Sequence, residues 1–293
     1  MQELPFRETV QLKDFCTFGI GGLARYFMEV RKSEEMQQAI IWCKKNQIPY
    51  LILGKGSNCL FDDRGFYGAV LLNKIEFMKQ TNPGTFHVGA GYSFSLLGVQ
   101  TARQGWSGLE FASGIPGSVG GAVYMNAGAN GMETCSSLIS VDFIDEEGIP
   151  LTIPKSDLDF SYRRSPFQKR GGAITGATFS LVPEESARKK QIEIINKRKI
   201  SQPYGAMSAG CIFMNPPNRH AGALIDQCGL KGLSIGDAQV SQLHGNFLIN
   251  AGGATCTDMQ ALISLVKTRV KEASGIDLHS EVRYIPYYKE SSI

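Results

Sequence analysis

The chain has 293 residues, 43% hydrophobic and 19% charged, with a formal net charge of +3. That composition suits a globular protein of two or three modest domains. The charge is too small and too scattered for a nucleic-acid surface, and no run of about 18 apolar residues marks a membrane span. The N-terminal MQELPFRETV has no apolar signal core, so a cytoplasmic protein with no nucleic-acid or membrane partner is expected. Seven cysteines (16, 43, 59, 135, 211, 228, 256) stand singly, and four histidines show no ligand spacing. Reduced thiols and no metal site are expected.

Residues 17–22, TFGIGG, form a glycine-rich turn before a strand predicted at 24–30. Ser33 is expected to cap a helix whose first turn carries Glu34 and Glu35. Met36, Ala39, Ile40 and Cys43 make its inward stripe. The apolar residues 50–53 read as a buried strand, so residues 24–53 predict a strand–helix–strand unit with parallel pairing. Gly54, Lys55, Gly56, Ser57 and Asn58 follow at once. Loops at the carboxyl ends of parallel strands are where nucleotides bind. Two glycines, a lysine and two polar side chains can hold a diphosphate there. The spacing is neither a P-loop nor G-x-G-x-x-G, and alone it fits a β-turn equally well.

Strands are predicted at 69–72 and 85–90, then a helix at 94–103 that stops at Gly105. The stretch 111–131, FASGIPGSVGGAVYMNAGANG, holds six glycines and no charged residue. Glycine at this density weakens helix and strand interiors. It also supplies bare backbone that can lie against a ligand and aim N–H groups at it. A cofactor cradle is expected, with tight packing as the alternative. A hairpin follows at 138–145 and 149–153 around Glu146, Glu147 and Gly148, then a strand at 173–182. A charged helix spans 184–199, where Lys189, Lys190, Lys197, Arg198 and Lys199 read as a solvated face. The last third carries a helix at 221–228 ended by Gly229, a strand at 246–250, an amphipathic helix at 258–273 stopped by Gly275, and a strand at 281–285.

Tyr162-Arg163-Arg164-Ser165-Pro166-Phe167 sets two arginines at a proline-fixed turn. Arginine recognises carboxylates or stabilises an enolate, although a surface loop explains the segment as well. Cys211, in the turn Ser208-Ala209-Gly210-Cys211, can be nucleophile, proton donor or filler. Glu281 is a rim charge or a functional acid.

Taken in order, these segments resemble the MurB family, the UDP-N-acetylenolpyruvoylglucosamine reductases. The resemblance rests on Thr17-Phe18-Gly19-Ile20-Gly21-Gly22, Leu53-Gly54-Lys55-Gly56-Ser57-Asn58, and Gly114-Ile115-Pro116-Gly117 with Asn126-Ala127-Gly128-Ala129. It continues through Tyr162-Arg163-Arg164-Ser165, Ser208 to Phe213 with Asn215-Pro216, and Glu281-Val282-Arg283. It implies an α+β FAD-binding fold of the vanillyl-alcohol-oxidase (PCMH) type in two subdomains, 1–75 and 76–185, plus a C-terminal α/β substrate domain at 186–293. It implies non-covalent FAD held by Gly54, Lys55, Gly56, Ser57 and Asn58, and by Ser113, Gly114, Ile115, Pro116, Gly117, Gly120, Gly121, Ala122, Asn126, Ala127 and Gly128. NADPH is the implied reductant and a UDP-sugar the implied substrate. The implied reaction takes UDP-N-acetylglucosamine enolpyruvate to UDP-N-acetylmuramate in bacterial peptidoglycan synthesis, by a monomer.

Arg163, Cys211 and Glu281 match the family's catalytic positions, and Tyr162, Asn215 and Arg283 are expected to hold substrate. Cys211 replaces a common serine proton donor, and a thiol of pKa about 8.5 stays mostly protonated at pH 7. Met214 departs from a basic residue, and His279-Ser280 from a proline. The chain is similar to the shorter subtype without an extra tyrosine-bearing loop. An FAD-dependent alcohol or sugar oxidase of the same fold, or a non-catalytic nucleotide-binding module, are the competing readings. The glycine-rich loops hold no histidine that could tether a flavin.

Overall fold

The computed structural model describes residues 4–287; residues 1–3 of the N-terminal stretch and 288–293 of the C-terminal domain expected from sequence lie outside the described residues. The chain forms two compact units. One comprises Met1–Arg7, Tyr26–Lys55 and Gly68–Arg198, the other Glu8–Arg25, Gly56–Tyr67 and Lys199–Ile293.

In the first unit the helix Ser33–Lys45 buries Met36, Ala39, Ile40 and Cys43, the stripe its spacing predicts. Its start differs from expectation. Ser33 is already helical, and the carboxylate of Glu35 instead accepts the N–H groups of Arg31 and Lys32 at 2.7 and 3.2 Å. Glu35 is the returning half of a capping box, which satisfies N-terminal donors without a serine cap. The Tyr50–Leu53 strand runs parallel to Gly65–Asn73, pairing Tyr50 with Ala69 and Leu53 with Leu72. That strand, of which residues 68–73 belong to this unit, lies between Tyr50–Leu53 and the strand Leu23–Val30. The sequence pattern predicts the parallel pairing but not this insertion.

A second sheet of five antiparallel strands runs in the order Pro150–Pro154, Leu138–Asp145, Gly172–Ser180, Thr85–Gly89, Met78–Asn82. Against it packs a core that includes Phe86, Phe94, Phe111, Phe143 and Phe179. The glycine-rich stretch is less of a loop than its composition predicts. It contains a helix, Val119–Met125, begun by Ser118, whose hydroxyl accepts the Gly121 N–H at 3.3 Å. Gly120 serves close approach here: a Cβ on it would stand 2.9 Å from the Cβ of Ala90, and its N–H donates to the Ala90 carbonyl at 2.8 Å. Just beyond, Asn130 and Gly131 both take positive φ, 55° and 78°, and close a hairpin that pairs Ala129 with Met132. This is the type I′ turn that Asn-Gly favours.

In the second unit Met207–Cys211, Phe247–Asn250, Ala238–Val240 and Ser234–Ile235 form an antiparallel sheet. The helices Ala221–Gln227 and Cys256–Ser274 share its core, which also takes in Phe18, Ile20 and Leu60 from the early chain. The long helix buries Met259, Leu262, Val266 and Val270 and ends at Gly275, with φ of 72°. Arg283–Ile285 pairs in parallel with Cys59–Phe61.

The buried Asp62 carboxylate accepts from Arg64 through Nε at 2.8 Å and Nη2 at 2.9 Å, and from the Tyr284 hydroxyl at 2.6 Å. The Arg64 guanidinium, helped by Tyr284, holds this carboxyl well below the usual carboxylate range. A depressed folded pKa gives stability that is present above the unfolded value of about 3.9 and lost as pH falls toward the folded one. Asp62→Asn is therefore expected to lower Tm at pH 7 and to converge on the parent below about pH 4. A Tm difference that is constant from pH 7 to pH 3 would exclude this contribution.

Candidate active site

Gly54 and Lys55 leave the Tyr50–Leu53 strand within the first unit. A Cβ on Gly54 would stand 2.3 Å from the Ser118 hydroxyl, so only glycine lets the loop pass the start of the short helix. Lys55 Nζ donates to Ser93 Oγ at 2.9 Å. Gly117 accepts the Phe94 N–H at 3.0 Å, and the Ile115 N–H donates to Ala112 at 2.8 Å, which fixes the bend through Pro116. Ser113, Gly114, Ile115, Pro116, Gly117, Gly120, Gly121 and Ala122 thus form one continuous run from a 3-10 turn into the helix.

Two buried polar atoms along this run have no partner among the described residues: Ser113 Oγ and Arg198 Nε. Ser113 is 4% exposed. Arg198 lies over Gly114, where a Cβ would stand 2.4 Å from its Cδ and 2.5 Å from its Nε. Lys189, Lys190, Lys197 and Lys199 are solvated as their charge predicts, but Arg198 is half-buried against the glycine run. Nothing in a charged helix distinguishes one basic residue from its neighbours, and only packing singles out Arg198.

Asn126, Ala127 and Gly128 follow the helix. The Asn126 side chain is fully buried and engaged with protein. It donates to Glu133 Oε2 at 2.9 Å and the Ser161 carbonyl at 3.0 Å, and accepts the Cys135 N–H at 3.1 Å. Ala127 O accepts both the N–H and the hydroxyl of Thr134, at 2.9 and 2.7 Å. Gly128 O accepts Arg163 Nη2 at 3.0 Å. Arg163 itself has φ of 58°, and its guanidinium lies 4.8 Å from the centre of the exposed Tyr162 ring.

The second unit holds the remaining candidates. Gly56 has φ of 61°, and a Cβ there would meet the Phe15 carbonyl at 2.1 Å. Its carbonyl accepts the Thr17 N–H at 3.3 Å, and the Thr17 hydroxyl is buried without a partner among the described residues. Thr17 opens the first glycine motif, so its place was readable, although its role was not. Backbone N–H groups of Lys55, Gly56 and Ser57 meet no acceptor among the described residues. Asn58 binds the chain on either side of Val282: its Nδ2 donates to Glu281 O at 3.2 Å and its carbonyl accepts the Arg283 N–H at 3.0 Å. The Glu281 N–H donates to Ile212 O at 2.7 Å, beside Cys211. Cys211 follows a register shift in its strand, with Gly210 at φ of 74°. Such a bulge re-aims the next side chain. Asn246 grips the neighbouring Phe213 by both its N–H and its carbonyl, at 2.9 and 2.8 Å. Asn215 Oδ1 accepts the Ala221 N–H at 3.0 Å and thereby starts a helix.

The second unit therefore brings Asn58, Cys211, Glu281 and Arg283 together, and the first brings Arg163 to Gly128. In each unit taken by itself, the unpartnered groups suit an oxygen-rich, phosphate-bearing ligand. Among the described residues no helix is long and apolar enough to cross a membrane, and no cluster of His, Cys, Asp and Glu could hold a metal.

Residues 24–153 match the FAD binding domain family, and residues 202–285 match the family described as UDP-N-acetylenolpyruvoylglucosamine reductase, C-terminal domain. The chain is 60% identical over 276 residues to the UDP-N-acetylenolpyruvoylglucosamine reductase of Protochlamydia amoebophila, covering 94% of this chain and 92% of that one. It is 50% identical to the enzyme of that name from Chlamydia trachomatis serovar L2, over 96% of each chain. The crystal structure of UDP-N-acetylenolpyruvylglucosamine reductase (MurB) from Thermus caldophilus superposes with a TM-score of 0.82 at 38% identity, covering 96% of this chain and all of that one.

Burial pushes the thiols of Cys43 and Cys256 up to about 12 and that of Cys59 to about 11, whereas Cys211 is half-buried. Brief iodoacetamide treatment at pH 7.5, read by peptide mass spectrometry, is expected to label Cys211 and spare those three. Equal labelling of all four would contradict their burial.

Proposed function

Because the chain belongs to the UDP-N-acetylenolpyruvoylglucosamine reductase (MurB) family, we propose that Arg163, Cys211 and Glu281 carry its reaction. The protein is an FAD-dependent oxidoreductase that reduces UDP-N-acetylglucosamine enolpyruvate to UDP-N-acetylmuramate with NADPH, a step of peptidoglycan synthesis. Bound FAD would supply the hydride chemistry, from NADPH to the terminal carbon of the enolpyruvyl double bond. The carbon beside the carboxylate then carries negative charge, which the permanent cation of Arg163 stabilises. Glu281 supports the enol form. Cys211 completes the reduction: its S–H bond breaks, a C–H bond forms at that carbon, and a thiolate remains for solvent to reprotonate. The observation that supports this reading is the 2.7 Å bond from the Glu281 N–H to the Ile212 carbonyl, which sets the backbone of residue 281 beside that of the neighbour of Cys211.

Gly54, Lys55, Gly56, Ser57 and Asn58 are assigned to the FAD diphosphate, supported by the unpartnered N–H groups of residues 55–57. The run from Ser113 to Ala122 takes the rest of the cofactor, with Ser113 Oγ and Arg198 Nε as further contacts, because each is buried and lacks a protein partner among the described residues. Asn126, Ala127 and Gly128 contribute backbone and support. Tyr162, Asn215 and Arg283 are assigned to substrate. We place the FAD-binding subdomains at 1–75 and 76–185 and the substrate domain at 186–293, with Phe18, Ile20 and Leu60 of the first segment packing into the core of the last. A cytoplasmic monomer completes the reading.

In an anaerobic cuvette, NADPH should bleach the flavin band, and only the enolpyruvyl sugar nucleotide should restore it. Failure of the nucleotide to restore it would sink the assignment. Cys211→Ala is expected to slow the restoring step by about 10²-fold or more, the usual worth of a general acid, and to leave the bleaching step intact. Arg198→Met is expected to weaken FAD binding about tenfold, read by fluorescence of released flavin, because a charge-assisted hydrogen bond is worth about 1.5–3 kcal/mol. Unchanged flavin retention would remove Arg198 from the cofactor site.

A further inference from the structure

Arg163 occupies a conformation that its residue type disfavours. The Ser161 and Arg164 main chains exchange two hydrogen bonds, Ser161 N–H to Arg164 O at 3.1 Å and Arg164 N–H to Ser161 O at 2.9 Å. Arg163 is thus the third residue of a tight turn, with φ of 58°, whereas Tyr162 has no positive φ. Such a turn asks for glycine or asparagine at its third position. A long, charged chain with a Cβ stays there only when its surroundings hold it.

The holding groups lie in the same unit. Gln168 Nε2 donates to the Arg163 carbonyl at 3.0 Å and to the Tyr124 carbonyl at 3.1 Å. Ser165 Oγ donates to that same Tyr124 carbonyl at 2.6 Å. Asn126 Nδ2 takes the other end of the turn through Ser161 O at 3.0 Å. Tyr124 and Asn126 stand at the end of the helix Val119–Met125, where carbonyls need outside donors. Gln168 therefore joins the strained residue directly to the helix end.

We propose that Gln168 is a positioning residue that holds Arg163 in its left-handed turn, with Asn126 anchoring the turn's other strand. This rests on the reading of Arg163 as the group that stabilises charge on the substrate. Gln168 touches neither the reacting atoms nor the cofactor in this assignment. Its loss should be felt only in the half-reaction that uses Arg163.

The test is a double-mutant cycle on the FAD-loaded enzyme with the two half-reactions timed separately. Gln168→Met, of similar length but without a donor, is expected to slow flavin reoxidation by the enolpyruvyl sugar nucleotide at least tenfold. Flavin content and reduction by NADPH should match the parent. In an Arg163→Ala background the same change should cost nothing further. Equal slowing of both half-reactions, or loss of flavin, would mean a general structural role and overturn the proposal. So would an undiminished cost of Gln168→Met in the Arg163→Ala background. If Arg163→Ala alone leaves reoxidation at the parent rate, the catalytic reading of Arg163 falls and the proposal with it, a result distinct from the others. Should Gln168→Met fail to fold, Gln168→Glu keeps the side-chain shape, removes the donor, and answers to the same outcomes.

Discussion

A Cβ on Gly120 would stand 2.9 Å from that of Ala90, and one on Gly54 would stand 2.3 Å from the Ser118 hydroxyl. Real side chains do not approach so closely, so both contacts require glycine. Together they press the start of a seven-residue helix against the Ala90 backbone and against the loop that leaves the parallel strand. A helix of that length spans about 10 Å and cannot bend within two turns. Fixing its start therefore fixes its end, and its end is where Tyr124 O and Asn126 receive the turn that carries Arg163. The uncharged glycine run is thus a mechanical connection as well as the surface assigned to a ligand. It sets the distance between the segment assigned to FAD and a residue assigned to the substrate.

The second unit is organised differently. Cys211 and Glu281 are held through bonds to the main chain around them: Glu281 N–H to Ile212 O, the Asn246 side chain to Phe213, and Asn58 to residues 281 and 283. None of these bonds uses the side chain of residue 211 or 281. Exchanging a hydroxyl for a thiol at position 211 leaves every one of these bonds in place. The departures at Met214 and His279 are related in the same way. The Met214 N–H donates to His279 O at 2.9 Å, so both positions keep their register whatever side chains they carry.

Much of this was legible in the chain. The inward stripe of the Ser33–Lys45 helix, the helix Phe94–Arg103 and the glycine-ended helix Cys256–Ser274 follow from spacing and punctuation, because they are ordinary amphipathic segments. The order of the motifs carried the family. Composition misled inside the glycine run, where glycines that usually signal a loop instead permit a helix to pack closely. The Asn130-Gly131 pair announced a hairpin that the surrounding glycines obscured. Asn126 reads as a ligand residue in sequence, yet its side chain is spent on Glu133, Ser161 and Cys135. Arg198 and Gln168 gave no local signal at all. Their roles come from contacts across tens of residues, such as Arg198 over Gly114, which no periodicity encodes.

The two units are interleaved along the chain. The first is complete once residue 198 exists, whereas the second draws on residues 8–25 and 56–67 as well as everything after 198. During synthesis the first can close while the ribosome is still at work, but Phe18, Ile20 and Leu60 must wait for the core they belong to. Until the last third of the chain emerges, those apolar side chains lack the core in which they are buried. That interval is when the nascent protein is open to chaperones and to misassociation. It also means that no cut at a single point in the gene yields both units intact.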